Sequence, residues 1–205
     1  ASNNTAIGYY ALNQNTTGTP NTAIGANALD ANTTGGSNTA VGKDALGLNT
    51  TGNNNVAVGR AALSANTTTS GNTAVGTYAM QVSTTGANNT AVGYQALDAN
   101  TTANNNTALG YHALLSNTTG TNNVAVGAYA LDANTTNTQN TAVGYAALGA
   151  NTGAANVALG YNAAASQTTA NYTVAIGDRS CGGGVLTGDH NVFVGHYTGY
   201  NNTSG

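Results

Sequence analysis

Few side chains in this sequence could carry out metal or acid–base chemistry. Asp189, His190 and His196 lie close together towards the C-terminal end, and carboxylate and imidazole groups are common metal ligands. A polar loop explains the same three residues equally well. His112 stands alone, and the single cysteine, Cys181, supports neither a disulfide framework nor a cysteine metal site. The sequence therefore predicts no metal site.

Catalysis needs titratable groups that converge, and the aspartates show no such grouping. Asp30, Asp98 and Asp132 occupy one position of a repeat, but other copies carry Asn13 or Gly47 there. This pattern is typical of a sparsely charged, solvated face. The glycine run at 182–184 is followed by no lysine and no helical pattern, so it is not a phosphate-binding loop. We predict that the chain is not an enzyme and has no catalytic or cofactor-binding residues.

Composition excludes further classes of function. Charged residues make up 4 % of the chain, whereas about 25 % is usual in soluble domains. With a net charge of −3 and only three Lys or Arg, no basic patch can neutralise phosphates, so no nucleic-acid partner is predicted. No apolar run approaches the ~20 residues that span a bilayer, so no membrane insertion is predicted.

The elements that must position these side chains are copies of one short repeat. The glycine that closes an Asn-Thr-Ala-Val-Gly motif recurs with a seventeen-residue period from Gly8 to Gly144. Three further copies end at Gly160, Gly177 and Gly195, which makes twelve. The unit reads N-T-A-V-G-Y-x-A-L-x-A-N-T-T-G-x-N, and its positions are numbered from the first Asn. No interruption separates the units, so residues 1–205 are predicted to form a single continuous repeat domain.

The length and residue types of the unit predict its fold. Seventeen residues are too few for a helical hairpin or a propeller blade. Asn, Thr and Gly disfavour helix, whereas Thr-Ala-Val favours a short strand and Asn- and Gly-rich segments favour tight turns. We predict an all-β fold, a parallel β-solenoid of about twelve seventeen-residue coils. Each coil has a strand, a turn, a second extended stretch and another turn. At roughly 4.8 Å per coil, the rod would be roughly 55–60 Å long.

Alternation along the strand separates the side chain of position three from those of positions two and four. Position four is always Val, Ile or Leu, position two exchanges Thr for Val, and position nine is nearly always Leu. We therefore predict that positions two, four and nine face inward as stacked ladders. The predicted core ladder comprises Val41, Val58, Val75, Val92, Leu46, Leu63, Leu97 and Leu131.

Position three is Ala in every unit except the last, which has Phe193. A water-facing position would vary in size and polarity, so a uniformly small residue indicates that another backbone approaches closely. One interpretation is a contact between chains, and the other is a tight layer within the same solenoid. The residues of the predicted chain–chain contact are Ala40, Ala57, Ala74, Ala91, Ala108 and Ala125.

Asparagine and tyrosine also recur at fixed positions. Stacked Asn amides at positions one and twelve can hydrogen-bond along the rod, each donating to the next carbonyl. The Asn-Thr-Thr segments also match an N-glycosylation acceptor, for example at Asn15, Asn32 and Asn117, although coil stacking explains the same pattern. Tyrosines cluster at positions six and seven, either as an outward stripe that stacks on sugars or as cover for a thin core. The candidates for contact with a cell-surface glycan are Tyr94, Tyr111 and Tyr145.

The motifs resemble those of a known family. Val-Ala-Val-Gly at 56–59 and 124–127, and Val-Ala-Ile-Gly at 174–177, resemble the head repeats of trimeric autotransporter adhesins. The longer unit, with Asn-Thr-Thr-Gly between motifs, also resembles the repeat shafts of phage tail-fibre proteins. The resemblance covers the whole chain and implies a left-handed β-roll with three chains side by side. The head repeats of the adhesins are usually shorter than this unit.

Three functions are compatible with these features. The first is a structural or adhesive extracellular fibre segment, a virion tail-fibre shaft or a surface adhesin at the cell or virion surface, built from several copies such as a homotrimer. The second is an extracellular filament of solenoids stacked end to end. The first and last residues would nearly continue the period if joined, so a longer repeat protein or head-to-tail stacking is expected. The third is an ice-binding β-solenoid, against which the inward placement predicted for position two argues. The pair Thr16 and Thr17 stays open for that role.

Overall fold

The computed structural model describes residues 1–203, and every described residue lies in a strand, a turn or an irregular connection. Ser204 and Gly205, the last two residues of an Asn-Thr-Ser-Gly sequence, lie outside the described residues. Each coil contributes one strand of three residues. The strands are β1 (Thr5–Ile7), β2 (Thr22–Ile24), β3 (Thr39–Val41), β4 (Val56–Val58), β5 (Thr73–Val75), β6 (Thr90–Val92), β7 (Thr107–Leu109), β8 (Val124–Val126), β9 (Thr141–Val143), β10 (Val157–Leu159), β11 (Val174–Ile176) and β12 (Val192–Val194).

The strands form one parallel sheet in sequence order, from β1 to β12. Equivalent residues of successive coils are paired, so that Thr90 lies opposite Thr107 and Ala91 opposite Ala108. The predicted all-β parallel solenoid, with one strand per seventeen-residue repeat, is therefore confirmed.

The second extended stretch predicted for each coil is not a strand. Positions seven and nine have positive φ, for example 52° at Gln95 and 54° at Leu97. Two left-handed residues separated by one residue keep the chain turning, so the backbone cannot be extended there. The coils are still hydrogen-bonded to each other along this stretch, because Leu97 N–H donates to the Ala113 carbonyl at 2.9 Å.

The interior is a thin column of Ala, Leu and Asn. In the sixth coil, Ala91 at position three, Ala96 at position eight and Leu97 at position nine are fully buried. Asn89 and Asn100, at positions one and twelve, are also fully buried. The leucines that the sequence placed in the core, Leu46, Leu63, Leu97 and Leu131, all have 0 % exposure.

The prediction that position four faces inward is wrong. Val41, Val58 and Val75 are only partly buried, and Val92 is 38 % exposed. Position three faces inward instead, since the leucine ladder already fills the interior and leaves the strand room for only a methyl group. The residues proposed for a chain–chain contact are therefore in the core of their own chain, with 0 % exposure at Ala40, Ala57, Ala74, Ala91, Ala108 and Ala125.

Two asparagine ladders bond the turns from inside. At position twelve, the Asn49 amide donates to Asn32 Oδ1 at 2.9 Å and to the Gly52 carbonyl at 3.1 Å. At position one the side chain accepts from backbone, because Asn55 N–H donates to Asn38 Oδ1 at 3.0 Å. The Asn38 amide in turn donates across the coil to the Gly52 carbonyl at 2.8 Å. Amide-to-amide stacking thus occurs at position twelve, whereas position one bonds mainly to the main chain.

Candidate functional site

One long surface, the outward sheet face, is formed by positions two and four of the twelve strands. Position two is Thr in seven coils and Val in five, and position four is Val, Ile or Leu throughout. In coils that have neighbours on both sides, exposure reaches 38 % at Val92, 38 % at Val157 and 48 % at Leu159. Among residues 1–203, no charged side chain belongs to this face.

The outward sheet face is large for an apolar surface. Eleven steps of roughly 4.8 Å give it a length of roughly 53 Å, and three residues along each strand give it a width of roughly 10 Å. The resulting area, on the order of 500 Å² with seven threonines included, is comparable with the ~300–600 Å² of the largest apolar patch on a monomer. A surface of this extent is a candidate for contact with another molecule.

A second surface feature is a continuous row of rings and guanidinium groups, the aromatic ladder. It takes one residue from position six or seven of each coil from the fourth to the twelfth. Neighbouring groups along the ladder are 5.1–6.2 Å apart, measured between ring centroids or from an Arg Cζ to a centroid. Its members are Arg60, Tyr78, Tyr94, Tyr111, Tyr129, Tyr145, Tyr161, Arg179 and Tyr197.

The rings of the aromatic ladder contact each other rather than standing free. Tyr94 and Tyr111 stack with centroids 5.6 Å apart and planes 11° apart, and Tyr145 stacks on Tyr161 at 5.4 Å. A sugar ring could not enter between such rings without separating them. Both interpretations of the tyrosines, glycan contact by Tyr94, Tyr111 and Tyr145 and cover for a thin core, stay predictions.

Sequence reasoning missed that two of the three cations belong to the aromatic ladder. Arg60 lies 5.4 Å from the centroid of Tyr78, and Arg179 lies between Tyr161 and Tyr197 at 5.1 and 5.4 Å. The available signal was positional, because both arginines occupy the places that tyrosines occupy in neighbouring coils. Cation–π contact lets an Arg replace a ring without breaking the row.

The aspartates at position ten do not converge, since they lie in the second, sixth and eighth coils. They are also less solvated than the sequence predicted, and burial raises the pKa of Asp30, Asp98 and Asp132. Asp98 Oδ2 accepts a hydrogen bond from Gln95 Nε2 at 3.2 Å. Asp30 lines a cleft of about 250 Å³, which opens because Gly47 has no side chain at position ten.

Asp189, His190 and His196, the carboxylate and imidazole groups of the final coils, have separate partners. Within residues 1–203, no group of three potential metal-ligating side chains forms. Asp189 accepts from Asn171, His190 stacks on Tyr172 at 4.8 Å, and His196 Nε2 lies 3.1 Å from Asp178 Oδ2.

The asparagines of two glycosylation motifs and the single cysteine are buried. Asn32 and Asn117 of the glycosylation motifs have 0 % exposure and donate to carbonyls inside the coil, while Asn15 in the first coil is partly buried. Sugar transfer to the buried amides would require local unfolding. Cys181 replaces Leu at position nine, and burial raises the pKa of its thiol to about 11, so the thiol is neutral at physiological pH.

Nowhere in the described part of the chain does a helix have the length and hydrophobicity needed to cross a membrane. No family model, curated protein or solved structure matches the sequence or the fold. The outward sheet face and the aromatic ladder are the two extended surface features of residues 1–203 that bear on function.

Proposed function

We propose that this chain is a structural segment of an extracellular fibre, at a cell or virion surface, whose copies associate side by side through the outward sheet face. The supporting observation is the exposure of aliphatic side chains at position four, with Val92 at 38 % and Leu159 at 48 %. Val, Ile and Leu at every such position have no role in the chain's own core. Covering them with another copy removes their apolar area from water, which is the main driving force for association.

A closed assembly of a few copies around a common axis suits this surface. A closed cyclic arrangement covers the face of every copy at once and leaves no free edge for further growth sideways. No charged group of the face, as described for residues 1–203, would have to be desolvated, so the penalty for burying ions is absent. The same arrangement is the one that the resemblance to trimeric adhesin heads implies.

The mass of the chain in solution tests this proposal. We expect wild-type protein to be oligomeric by light scattering and Val92→Arg to dissociate into folded single chains, because each copy would bring a charge into an apolar interface. Thr102→Arg is the matched control, since Thr102 is exposed in the same coil but lies off the sheet. It should leave the mass unchanged.

Two results would overturn the lateral assembly. A monomeric wild-type chain at micromolar concentration would remove it outright. Long filaments in electron micrographs that persist in Val92→Arg would favour end-to-end stacking instead, because that contact uses the terminal coils rather than the outward sheet face.

A second candidate function, ice binding, is favoured by one observation. Threonine at position two faces outward, contrary to the sequence prediction that argues against this role, and Thr22, Thr39, Thr73, Thr90 and Thr107 are only partly buried. The two functions compete for the same surface, so a lateral oligomer could not present it to ice. Thermal hysteresis from a monomeric chain, lost in Thr90→Leu, would support ice binding. An oligomer without hysteresis would exclude it.

A further inference from the structure

Tyrosines are the readily oxidised side chains that reach the surface, both in the aromatic ladder and outside it at Tyr9, Tyr10 and Tyr172. The sequence has no tryptophan, one methionine and one cysteine. Met80 and Cys181 both have 0 % exposure, so neither sulfur is open to an oxidant in solution. A one-electron oxidation at the surface of this chain therefore takes place on tyrosine.

Two pairs of tyrosines in the aromatic ladder are arranged for reaction with each other. Tyr94 and Tyr111 are 43 % and 44 % exposed, with centroids 5.6 Å apart and planes 11° apart. Tyr145 and Tyr161 are 47 % and 46 % exposed, with centroids 5.4 Å apart and planes 15° apart. In both pairs the side chains are about half exposed and the rings are nearly parallel, so a small side-chain rotation brings their ortho carbons together.

The residue between the two pairs connects them. The ring of Tyr129 lies 5.3 Å from that of Tyr111 and 5.8 Å from that of Tyr145. From Tyr94 to Tyr161, a radical formed on any ring of the aromatic ladder has another phenol in contact on an adjacent coil. Two radicals generated on one rod can therefore meet at a stacked pair.

We propose that the aromatic ladder is a site of oxidative tyrosine–tyrosine coupling, in which a haem peroxidase acting with hydrogen peroxide links adjacent coils. Each phenol loses one electron and one proton to become a tyrosyl radical. The two radicals join through a bond between ortho carbons, and each ring returns the proton from its coupled carbon to its oxygen. The peroxide accepts the two electrons and two protons and is reduced to two molecules of water, so the protein loses two hydrogen atoms per link.

Such a link would fasten one coil to the next. Tyr94 and Tyr111 are separated by one full repeat of the sequence, and Tyr145 and Tyr161 by one repeat that is a single residue shorter. Closing loops of this size restricts the unfolded chain, as a disulfide does, and shifts the equilibrium towards the folded rod. We expect the linked chain to unfold at a higher urea concentration than the untreated chain.

The test is to treat the full chain with a haem peroxidase and hydrogen peroxide at low concentration and to map the links by peptide mass spectrometry. An equal mixture of isotope-labelled and unlabelled chains distinguishes links within one chain from links between copies. We expect links Tyr94–Tyr111 and Tyr145–Tyr161 within single chains, with dityrosine fluorescence. Tyr94→Phe, which keeps the stacked ring but removes the phenol, should abolish the first link and leave the second.

Tyr172 provides the internal control. It is 58 % exposed, more than either pair, but its ring stacks on His190 and not on another tyrosine. If exposure alone governed the reaction, Tyr172 would be linked more often than either stacked pair, and mainly between copies. That result, or the same pattern of links in urea-unfolded chain, would overturn the proposal. The outcome does not depend on the proposed fibre function, because a monomeric chain carries the same aromatic ladder.

Discussion

The glycine at position five lies where two coils approach each other most closely. Gly93 has a φ of 139°, and a Cβ placed on it would lie 2.7 Å from the carbonyl carbon of Gly110 in the next coil. Only glycine combines this backbone conformation with so short an approach. Stacking repeats the same contact in each coil from Gly8 to Gly177, which explains why the motif glycine recurs there.

Replacing this glycine should destabilise the rod more than an ordinary glycine substitution would. We expect Gly93→Ala to lower the free energy of unfolding by about 2–4 kcal/mol, because strained dihedrals and a backbone clash add. Gly47→Ala is the matched control, since a Cβ there meets no atom closer than 3.4 Å. Urea denaturation of both variants checks the difference. Equal effects would show that the close approach does not constrain this position.

Adjacent residues of one strand should respond in opposite ways to the same substitution. Ala91 has 0 % exposure and faces the core, whereas Val92 is 38 % exposed on the outward sheet face. We expect Ala91→Arg to unfold the surrounding coils, because it buries a charge without a partner. Val92→Arg should leave the circular dichroism spectrum almost unchanged, because the chain stays folded when its copies separate. A folded Ala91→Arg chain would contradict the assignment of the two faces.

The sequence did not reveal which face of each strand points into the core. Alternation separates position three from positions two and four, but it does not say which set faces inward. The larger aliphatic residues were assigned to the core, although the leucine at position nine leaves space only for a methyl. Constancy was the better signal: position three is Ala from Ala6 to Ala175, whereas position two exchanges Thr for Val. A fixed small volume selects one residue, and a surface tolerates several.

At the scale of the structural element, the asparagine ladder of position twelve stabilises the connections between successive strands. Asn66 donates to Asn49 Oδ1 at 2.9 Å, and Asn49 donates to Asn32 Oδ1 at the same distance. Each amide also donates to a main-chain carbonyl of its own coil, so the ladder bonds neighbouring coils and closes each turn. Buried amides are stable only while these partners remain.

Removing one member of this ladder should leave its neighbours unsatisfied. We expect Asn49→Leu to lower the free energy of unfolding by about 1–3 kcal/mol, because Asn32 Oδ1 loses its hydrogen-bond donor. Asn49→Ser should cost less, because Ser83 occupies the equivalent place in the fifth coil and accepts from Asn100 Nδ2 at 3.1 Å. Denaturant titrations of the two variants give the comparison. A serine variant as unstable as the leucine variant would contradict the argument.

At the scale of the whole molecule, buried aspartates should make the rod more stable in mild acid than at neutral pH. Burial raises the pKa of Asp30, Asp98 and Asp132 above the usual 3.8, so folding favours their protonated forms. A group with a raised folded-state pKa contributes stability that is fully present below its unfolded pKa and lost as pH rises through the folded pKa. The urea midpoint of the wild-type chain should therefore rise as pH falls from 7 to about 4.

A triple substitution of these three aspartates to asparagine isolates their contribution. Asn13 already occupies position ten in the first coil, so the change is compatible with the repeat. We expect the variant to be more stable than the wild-type chain at pH 7 and to gain less on acidification. If acidification from pH 7 to pH 4 changed the urea midpoint of the wild-type chain and that of the variant equally, this expectation would be contradicted.

Most of the architecture could be predicted because it repeats. The seventeen-residue period fixes the coil, and in-register stacking places every glycine of position five and every leucine of position nine above its copy. The predicted second strand failed because positive φ at residues such as Gln95 and Leu97 is imposed by closing the coil, against the preference of those side chains. The sequence did not predict that two arginines belong to the aromatic ladder. They share positions six and seven with the tyrosines but differ from them in residue type.

Because each strand pairs only with its sequence neighbours, damage to one coil should spread along the rod. Leu97 is fully buried in the sixth coil, in the middle of the leucine ladder. Leu97→Asp places an unpaired carboxylate in that column, and we expect it to cost at least about 4 kcal/mol. Within residues 1–203, only the fifth and seventh coils pair with the sixth, so several coils on either side should lose hydrogen-exchange protection together.

Leu48→Asp is the matched control, because Leu48 is 57 % exposed and the same substitution there should leave protection unchanged. Loss of protection confined to the sixth coil would mean that the coils are independent units, and the nearest-neighbour view of this rod would then be wrong.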